Sequence, residues 1–245
     1  MERIHSNIQR KSTYKIQNMI DKVIHQIWVG PYDIPEREVK LYKEIRDKHP
    51  DWVHMLWTDS NLPDIPERLQ PMYDKMYSKK DYAYCADMLR WLVVCEYGGW
   101  YLDIDFEYVK NLNDLGIDHR DGLVFGHWGE GWQHCDYTIP NGIFAFKKKH
   151  PMVQFIVNEL YEELEYQNAP YPPCWAGLNC KKYMGLENEF SNEIWEYHRI
   201  MKEHLDKHNI EYGDYNVFQN ENFRHHALYS WGHKNKILWE QGLIK

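Results

Sequence analysis

The stretch EYGGWYLDIDFEYVKNL, residues 96–112, sets Asp103 and Asp105 one residue apart behind a glycine pair and an apolar, aromatic run. Read as a strand, alternation turns Tyr101, Asp103 and Asp105 to one face and Leu102, Ile104 and Phe106 to the other. Two ionised carboxylates side by side repel each other, so they need a cation, a network of donors or open water. Their hard oxygens suit magnesium or manganese. A solvated strand end would also tolerate them, and a lone D-x-D is a weak signal, so the neighbouring residues must decide. Asp87 and Arg90, in CADMLRW, stand three apart on one face of an apolar segment, near enough to pair or to converge on a ligand. A purely structural salt bridge is the plain alternative.

Such groups need elements to position them. KVIHQIWVG, 22–30, is β-branched and apolar and runs into Gly-Pro, which predicts a buried first strand. Pro35 suits a first helical turn, Val39, Tyr42 and Ile45 form an apolar stripe, and Pro50 stops the helix. WVHMLWT then predicts a second strand, residues 66–77 a short helix, and residues 81–97 a largely buried one. Gly98 and Gly99 end that helix, let backbones approach closely, and hand the chain to the strand that carries the acids. Further strands are expected at GLVFGHW and NGIFAFKK, helices over 151–166 and 187–208, and two short strands in YNVFQNENFRHHALYSWGHK. Strand, helix, strand in this order is an α/β pattern. A tail or short helix over 1–21 and a single domain over 22–245 are expected, with no internal repeat.

Composition narrows the function classes. A net charge of −8 and a pI near 5.9 argue against nucleic acid as a partner. Aromatic residues reach 16%, with 11 Trp and 19 Tyr, and a surplus of this kind lines sites that stack on flat rings or sugars as readily as it fills a core. Five cysteines form no C-x-x-C and leave one over, which fits a reducing, cytoplasmic setting. No stretch approaches the roughly 18 apolar residues of a membrane span, which leaves peripheral membrane association open.

IHQIW, CADMLRWLVVCEYGGWYLDIDFEYVKNL, PNGIFAFKKKHP and HHALYSW, taken as a set, resemble glycosyltransferase family 32, whose sugar-binding region contains a DxD motif. That family includes fungal α-mannosyltransferases and resembles the catalytic domain of the large clostridial glucosylating toxins. The resemblance covers about residues 22–231. It implies a glycosyltransferase-A fold, that is, a Rossmann-like mixed sheet flanked by helices, with C-terminal helical and loop additions. It also implies a nucleotide-sugar donor, a divalent cation (Mn2+ or Mg2+) and retention of anomeric configuration. By resemblance Asp105 is the direct metal ligand, and Asp103 reaches the metal through water or binds the ribose. Asp87 and Arg90 match positions that hold the donor sugar's hydroxyls. Ile27 and Trp28 match the pair that sandwiches the base and Asn141 an asparagine near donor sugar or acceptor, while Tyr101, beside the acids, and Gly98 and Gly99, which let backbone approach closely, are counted with the donor-binding residues. HHALYSW matches a late segment in which a histidine returns to the cation and Ser230 and Trp231 close over the diphosphate. In an extended segment His225 and His226 face opposite ways, so only one can coordinate, and the motif favours His225.

The function expected is transfer of a hexosyl unit from a nucleotide-diphosphate sugar to a saccharide, lipid-linked or protein acceptor, as in polysaccharide or glycoconjugate synthesis. A UDP-sugar is favoured over GDP-mannose as donor. Two departures, Cys85 before Ala-Asp and Phe106-Glu107 after the DxD, leave donor identity open. Two other classes compete with this reading. A haloacid-dehalogenase-type phosphotransferase would place its D-x-D at the first strand and a Thr or Val where Glu107 stands. A glycan- or nucleotide-sugar-binding module without turnover would have no need of the acids and Arg90 together.

Overall fold

The computed structural model describes residues 20–117, 119–126, 139–163, 179–186, 194–215 and 223–225. The chain opens with β1 (Val23–Ile27), α1 (Glu36–Lys48) and β2 (Val53–Trp57), and continues with α2 (Gln70–Ser78), α3 (Tyr82–Tyr97) and β3 (Gly99–Leu102). After a short β4 (Phe106–Tyr108) and a 3-10 turn at Leu112–Leu115 come β5 (Gly122–Gly126), β6 (Ile143–Phe146) and α4 (Pro151–Glu163). The later described elements are α5 (Ile194–Lys207), β7 (Ile210–Asp214) and β8 (Phe223–His225). No helix among the described residues is long and apolar enough to cross a membrane.

Six strands form one sheet in the order β2-β1-β3-β6-β5-β7. Within it β1 runs parallel to β2 and β3, β5 runs parallel to β7, and β6 is antiparallel to both β3 and β5. Alternation divides the side chains between two cores. Ile24, Trp100, Leu102, Ile143, Ala145, Leu123 and Phe125 pack with Ile45 of α1 on one face. Tyr101, Phe144, Phe146, Val124 and Ile27 pack with α3, α4 and α5 on the other. α1 forms because Leu41 and Ile45 turn inward, while Glu36 and Glu38 in its first turn and Arg46 and Lys48 in its last match the helix dipole. α3 is buried along most of its length, from Cys85 through Val94, and Trp91 stacks on Phe144 at 4.0 Å.

Four features depart from expectation. The strand expected to carry the acids stops at Leu102: its last ladder pair is Leu102 with Ile143, and Asp103 and Asp105 lie in the turn that follows. The first strand ends at Ile27, because Gly30 takes a φ of +110° and leads the chain out of the sheet. A strand over 210–214 was not foreseen. IEYGD offers only Ile210 and Tyr212 as alternating apolar residues, and its pairing with β5 comes from far away in the chain. The expected helix 66–77 begins at Gln70, after a turn in which the Pro66 carbonyl accepts from the Leu69 and Gln70 amides. The parts of the expected helices at 164–166 and 187–193 lie outside the described residues.

Gly98 shows why the helix-to-strand corner is glycine. Its φ is +70°, and a Cβ there would lie 2.5 Å from Asp21 Oδ2 and 2.6 Å from the Lys148 amide nitrogen. Its carbonyl accepts from His25 Nε2 at 2.9 Å, while His25 Nδ1 accepts from the Trp57 indole at 3.1 Å, so the buried imidazole is neutral and holds the corner to β1 and β2. Gly98→Ala is expected to lower unfolding stability by about 2 kcal/mol or more. Chemical denaturation measures it, and a wild-type midpoint would refute the close approach.

Candidate active site

The chain runs from β1 to β2 on one side and then returns, through α2 and α3, to β3 on the other side of β1. The carboxyl ends of β1 and β3 therefore flank a topological switch point, where open α/β sheets leave a crevice for ligands. Ile27 closes β1 and Trp28 follows it; Asp103 follows β3. Continuing the register Ile24↔Trp100 and His25↔Tyr101 puts Ile27 level with Asp103.

Asp103 is fixed through its backbone first. Its N–H donates to the Gly142 carbonyl at 2.8 Å, and its own carbonyl accepts from the Phe106 amide at 3.2 Å and from Gln26 Nε2 at 3.3 Å. This closes the turn on which Asp105 sits, buried at 7% exposure. The acids are thus paired by a turn, not by strand alternation. Sequence reasoning missed Gln26, although it lies inside IHQIW: a buried glutamine in an apolar strand was the available signal.

The side chains then converge on Arg90 of α3. Its Nη2 lies 2.9 Å from Asp87 Oδ1 and 3.3 Å from Asp103 Oδ1, and its Nη1 donates to the Asn141 carbonyl at 2.6 Å. The guanidinium covers the Tyr101 ring at 4.6 Å, and the Tyr101 hydroxyl donates to Asp103 Oδ1 at 2.7 Å. Asn141 also donates its side-chain amide to Asp87 Oδ1 at 2.9 Å. Asp87, Arg90, Tyr101, Asp103 and Asn141 therefore form one network. Burial opposes charge on Arg90, but Asp103, Tyr101, Asp87 and Asp105 together raise its pKa and keep it ionised. Three carboxylates around one guanidinium leave a surplus of two negative charges when all are ionised. A divalent cation fits that surplus.

Other expected site residues are placed differently. Gly98 and Gly99 sit at the amino end of β3, a strand of four residues and so roughly 13 Å from the acids, where they serve the corner with α3 and not the crevice. Trp28 is half-buried beside the crevice and donates its indole N–H to the Tyr32 carbonyl at 2.8 Å. β4 pairs antiparallel with β8, and the backbone of His225 lies opposite Phe106, next to Asp105. His226, Ser230 and Trp231 lie outside the described residues, as does the side chain of His225. Among the described residues no three His, Cys, Asp or Glu side chains converge as a metal shell. Asp103 and Asp105 fit a hard cation by donor type and charge, and other oxygens or a residue of the later segment would complete its shell.

Asp87 Oδ2 is buried and has no hydrogen-bond partner among the described residues. Burial, aided by the Asp103 charge and opposed by Arg90 and Asn141, pushes the Asp87 carboxyl up to about 6. A raised carboxyl favours the fold at low pH, and that contribution is lost as pH rises from the unfolded value near 3.8 through about 6. The full change is up to about 3 kcal/mol. His25 and His150, which burial lowers to about 4, act oppositely over the same window, losing stability as pH falls. Subtracting the urea-denaturation profile of Asp87→Asn isolates the carboxyl: the wild type is expected to lose stability relative to the variant between pH 4 and pH 6. Parallel profiles would contradict the burial of an ionisable Asp87.

Comparison with known proteins adds a family to this geometry. Residues 35–121 match the family model described as the glycosyltransferase sugar-binding region containing DXD motif. The chain is 31% identical over 153 residues to inositol phosphoceramide mannosyltransferase 3 of Schizosaccharomyces pombe, covering 62% of this chain and 40% of that protein. It is 29% identical over 147 residues to an uncharacterized glycosyltransferase of Acanthamoeba polyphaga mimivirus, covering 58% of this chain and 56% of that protein. It thus spans about half the length of these relatives. The solved structure titled PaToxG Glycosyltransferase superposes with a TM-score of 0.59 at 21% identity, covering 84% of this chain and 88% of that one. The mixed sheet and its flanking helices are accordingly a glycosyltransferase-A-like α/β fold. The matched residues 35–121 hold Asp87, Arg90, Asp103 and Asp105, so the similarity to glycosyltransferase sugar-binding regions containing the DXD motif falls on the network described above.

Proposed function

We propose that the chain is a metal-dependent, retaining glycosyltransferase that moves a hexosyl unit from a nucleotide-diphosphate sugar to a hydroxyl acceptor. The observation that carries this reading is the Asp87–Arg90–Asp103 network at the β1–β3 switch point, with Asp105 in the adjoining turn. Asp105 and Asp103 would hold manganese or magnesium, with His225 as a further ligand. When bound, the cation would neutralise charge that develops on the diphosphate as the glycosidic bond breaks.

The chain's own residues would do the rest. Asp87 Oδ2, unpartnered among the described residues, accepts a sugar hydroxyl, and Arg90 fixes the carboxylate that does so. Asn141 ties the turn before β6 to that carboxylate, so the sugar is oriented from two elements at once. Trp28 stacks on the base. Ser230 and Trp231 close over the diphosphate and exclude water. With Oδ1 held by Arg90 and Asn141 and Oδ2 taken by a sugar hydroxyl, Asp87 acts as a binding group, which favours attack from the leaving-group side over a covalent glycosyl–Asp87 intermediate. Trapping such an intermediate would refute that choice.

The Schizosaccharomyces pombe relative is named for mannosyl transfer and inositol phosphoceramide. That weighs toward GDP-mannose and a lipid-linked acceptor, against the UDP-sugar that the sequence favoured. The test is a donor panel of UDP-glucose, UDP-galactose, UDP-N-acetylglucosamine and GDP-mannose with manganese, followed by release of free nucleotide. One donor is expected to be turned over, and Asp105→Asn to cut the rate by roughly 100-fold or more. No binding or turnover of any donor, with no effect of Asp105→Asn, would favour a glycan-binding module.

A further inference from the structure

β1 ends at Ile27, yet the Trp28 amide still bonds the Trp57 carbonyl at 2.8 Å, so the ladder with β2 guides one more residue. Val29 is buried. The chain then turns at Gly30, whose φ of +110° few L side chains adopt. A Cβ at Gly30 would lie 2.8 Å from Tyr82 Cγ and 2.9 Å from Tyr82 Cδ2, so the backbone rests flat against that ring. The Gly30 N–H donates to Asp59 Oδ2 at 2.8 Å. Asp59 follows β2 and Tyr82 opens α3, so the loop is tied to both neighbours of its own strand's carboxyl end. The Tyr32 ring meets Tyr82 edge-on at 6.2 Å, and Tyr77 of α2 braces Tyr82 from 5.2 Å.

We propose that Gly30, Asp59 and Tyr82 are positioning residues that fix the Trp28 indole as a stacking plane for the donor's nucleobase, an inference that rests on the nucleotide-sugar reading above. The indole's one N–H is spent inside the loop on the Tyr32 carbonyl. What it can offer a ligand is its ring face, which every base accepts. Discrimination between uracil and guanine is therefore not made by an indole hydrogen bond. Trp28 stands one residue beyond Ile27, level with the Asp103–Phe106 turn, so a base on its face lies within a nucleotide's length of the acids. A loop free to swing would lose this alignment, and stacking is worth about 1–3 kcal/mol per base only when the plane is in place.

The test is calorimetric titration of the full chain with UDP, GDP and, as a ligand without a base, inorganic pyrophosphate, all with manganese. Asp59→Ala and Gly30→Ala are expected to weaken whichever nucleotide binds the wild type by roughly tenfold, leaving pyrophosphate affinity unchanged. Asp59→Asn keeps an oxygen that can accept from the Gly30 N–H and is expected to bind close to wild type. Nucleotide binding by the wild type with no loss in Asp59→Ala and Gly30→Ala would overturn the positioning role and leave the donor reading standing. An equal loss of nucleotide and pyrophosphate would also overturn it, because the loop would then be supporting the acids and not the base. A wild type that binds neither nucleotide nor pyrophosphate would overturn both.

Discussion

The arrangement depends on one buried cation that belongs to the protein, the Arg90 guanidinium. Without it, Asp87 and Asp103 would face each other with no positive charge between them in a setting that excludes most solvent. With it, both acids are held within 3.3 Å of a single nitrogen, and the guanidinium's flat face is covered by Tyr101. Lysine could not replace this geometry, since one planar fork reaches Asp87, Asp103 and the Asn141 carbonyl from one side of α3. Buried ion pairs are poor sources of stability, because desolvation consumes most of the attraction. Their retention in a helix otherwise lined with Met88, Leu89, Trp91 and Leu92 suits a role in organising charge.

The sheet supplies the frame. Parallel β1 and β3 present their carboxyl ends together, and the chain's reversal around β1 keeps that edge open. α3 ends at Gly98 with its last turn locked by His25, Asp21 and the Lys148 backbone, so Arg90, two turns earlier, projects at a fixed height over Tyr101. The acids inherit this precision through the turn closed by Gln26, Phe106 and Gly142. Residues Phe223–His225 return to the same place through the β4–β8 ladder, which sets the His225 backbone opposite Phe106, beside the DxD, from more than a hundred residues away.

Much of this could be read from the sequence, and the rest fails for identifiable reasons. The helix over 82–97 and the strand after it were legible because their apolar residues are continuous and Gly98-Gly99 punctuates them. Asp87 and Arg90 were legible as a pair because three-residue spacing places them on one helix face. Placing the acids on a strand failed because the bonds that end β3 come from Gln26 and Gly142, which no local pattern around residue 103 contains. The glycine pair was assigned to the donor site by resemblance, whereas its conformation answers to Asp21, Val23 and Lys148 at the other end of the strand. β7 escaped notice since Glu211, Gly213 and Asp214 carry no strand signal, and its order comes from β5 beside it.

The central claim is that Asp103 and Asp105 hold a divalent cation against a nucleotide diphosphate at the β1–β3 edge. Anomalous diffraction from crystals grown with manganese and a nucleoside diphosphate measures this directly. The account predicts a manganese peak bonded to an Asp105 oxygen and to the diphosphate, with Arg90 still on Asp87. A diphosphate bound elsewhere, or manganese absent while Asp105 contacts protein groups alone, would contradict it.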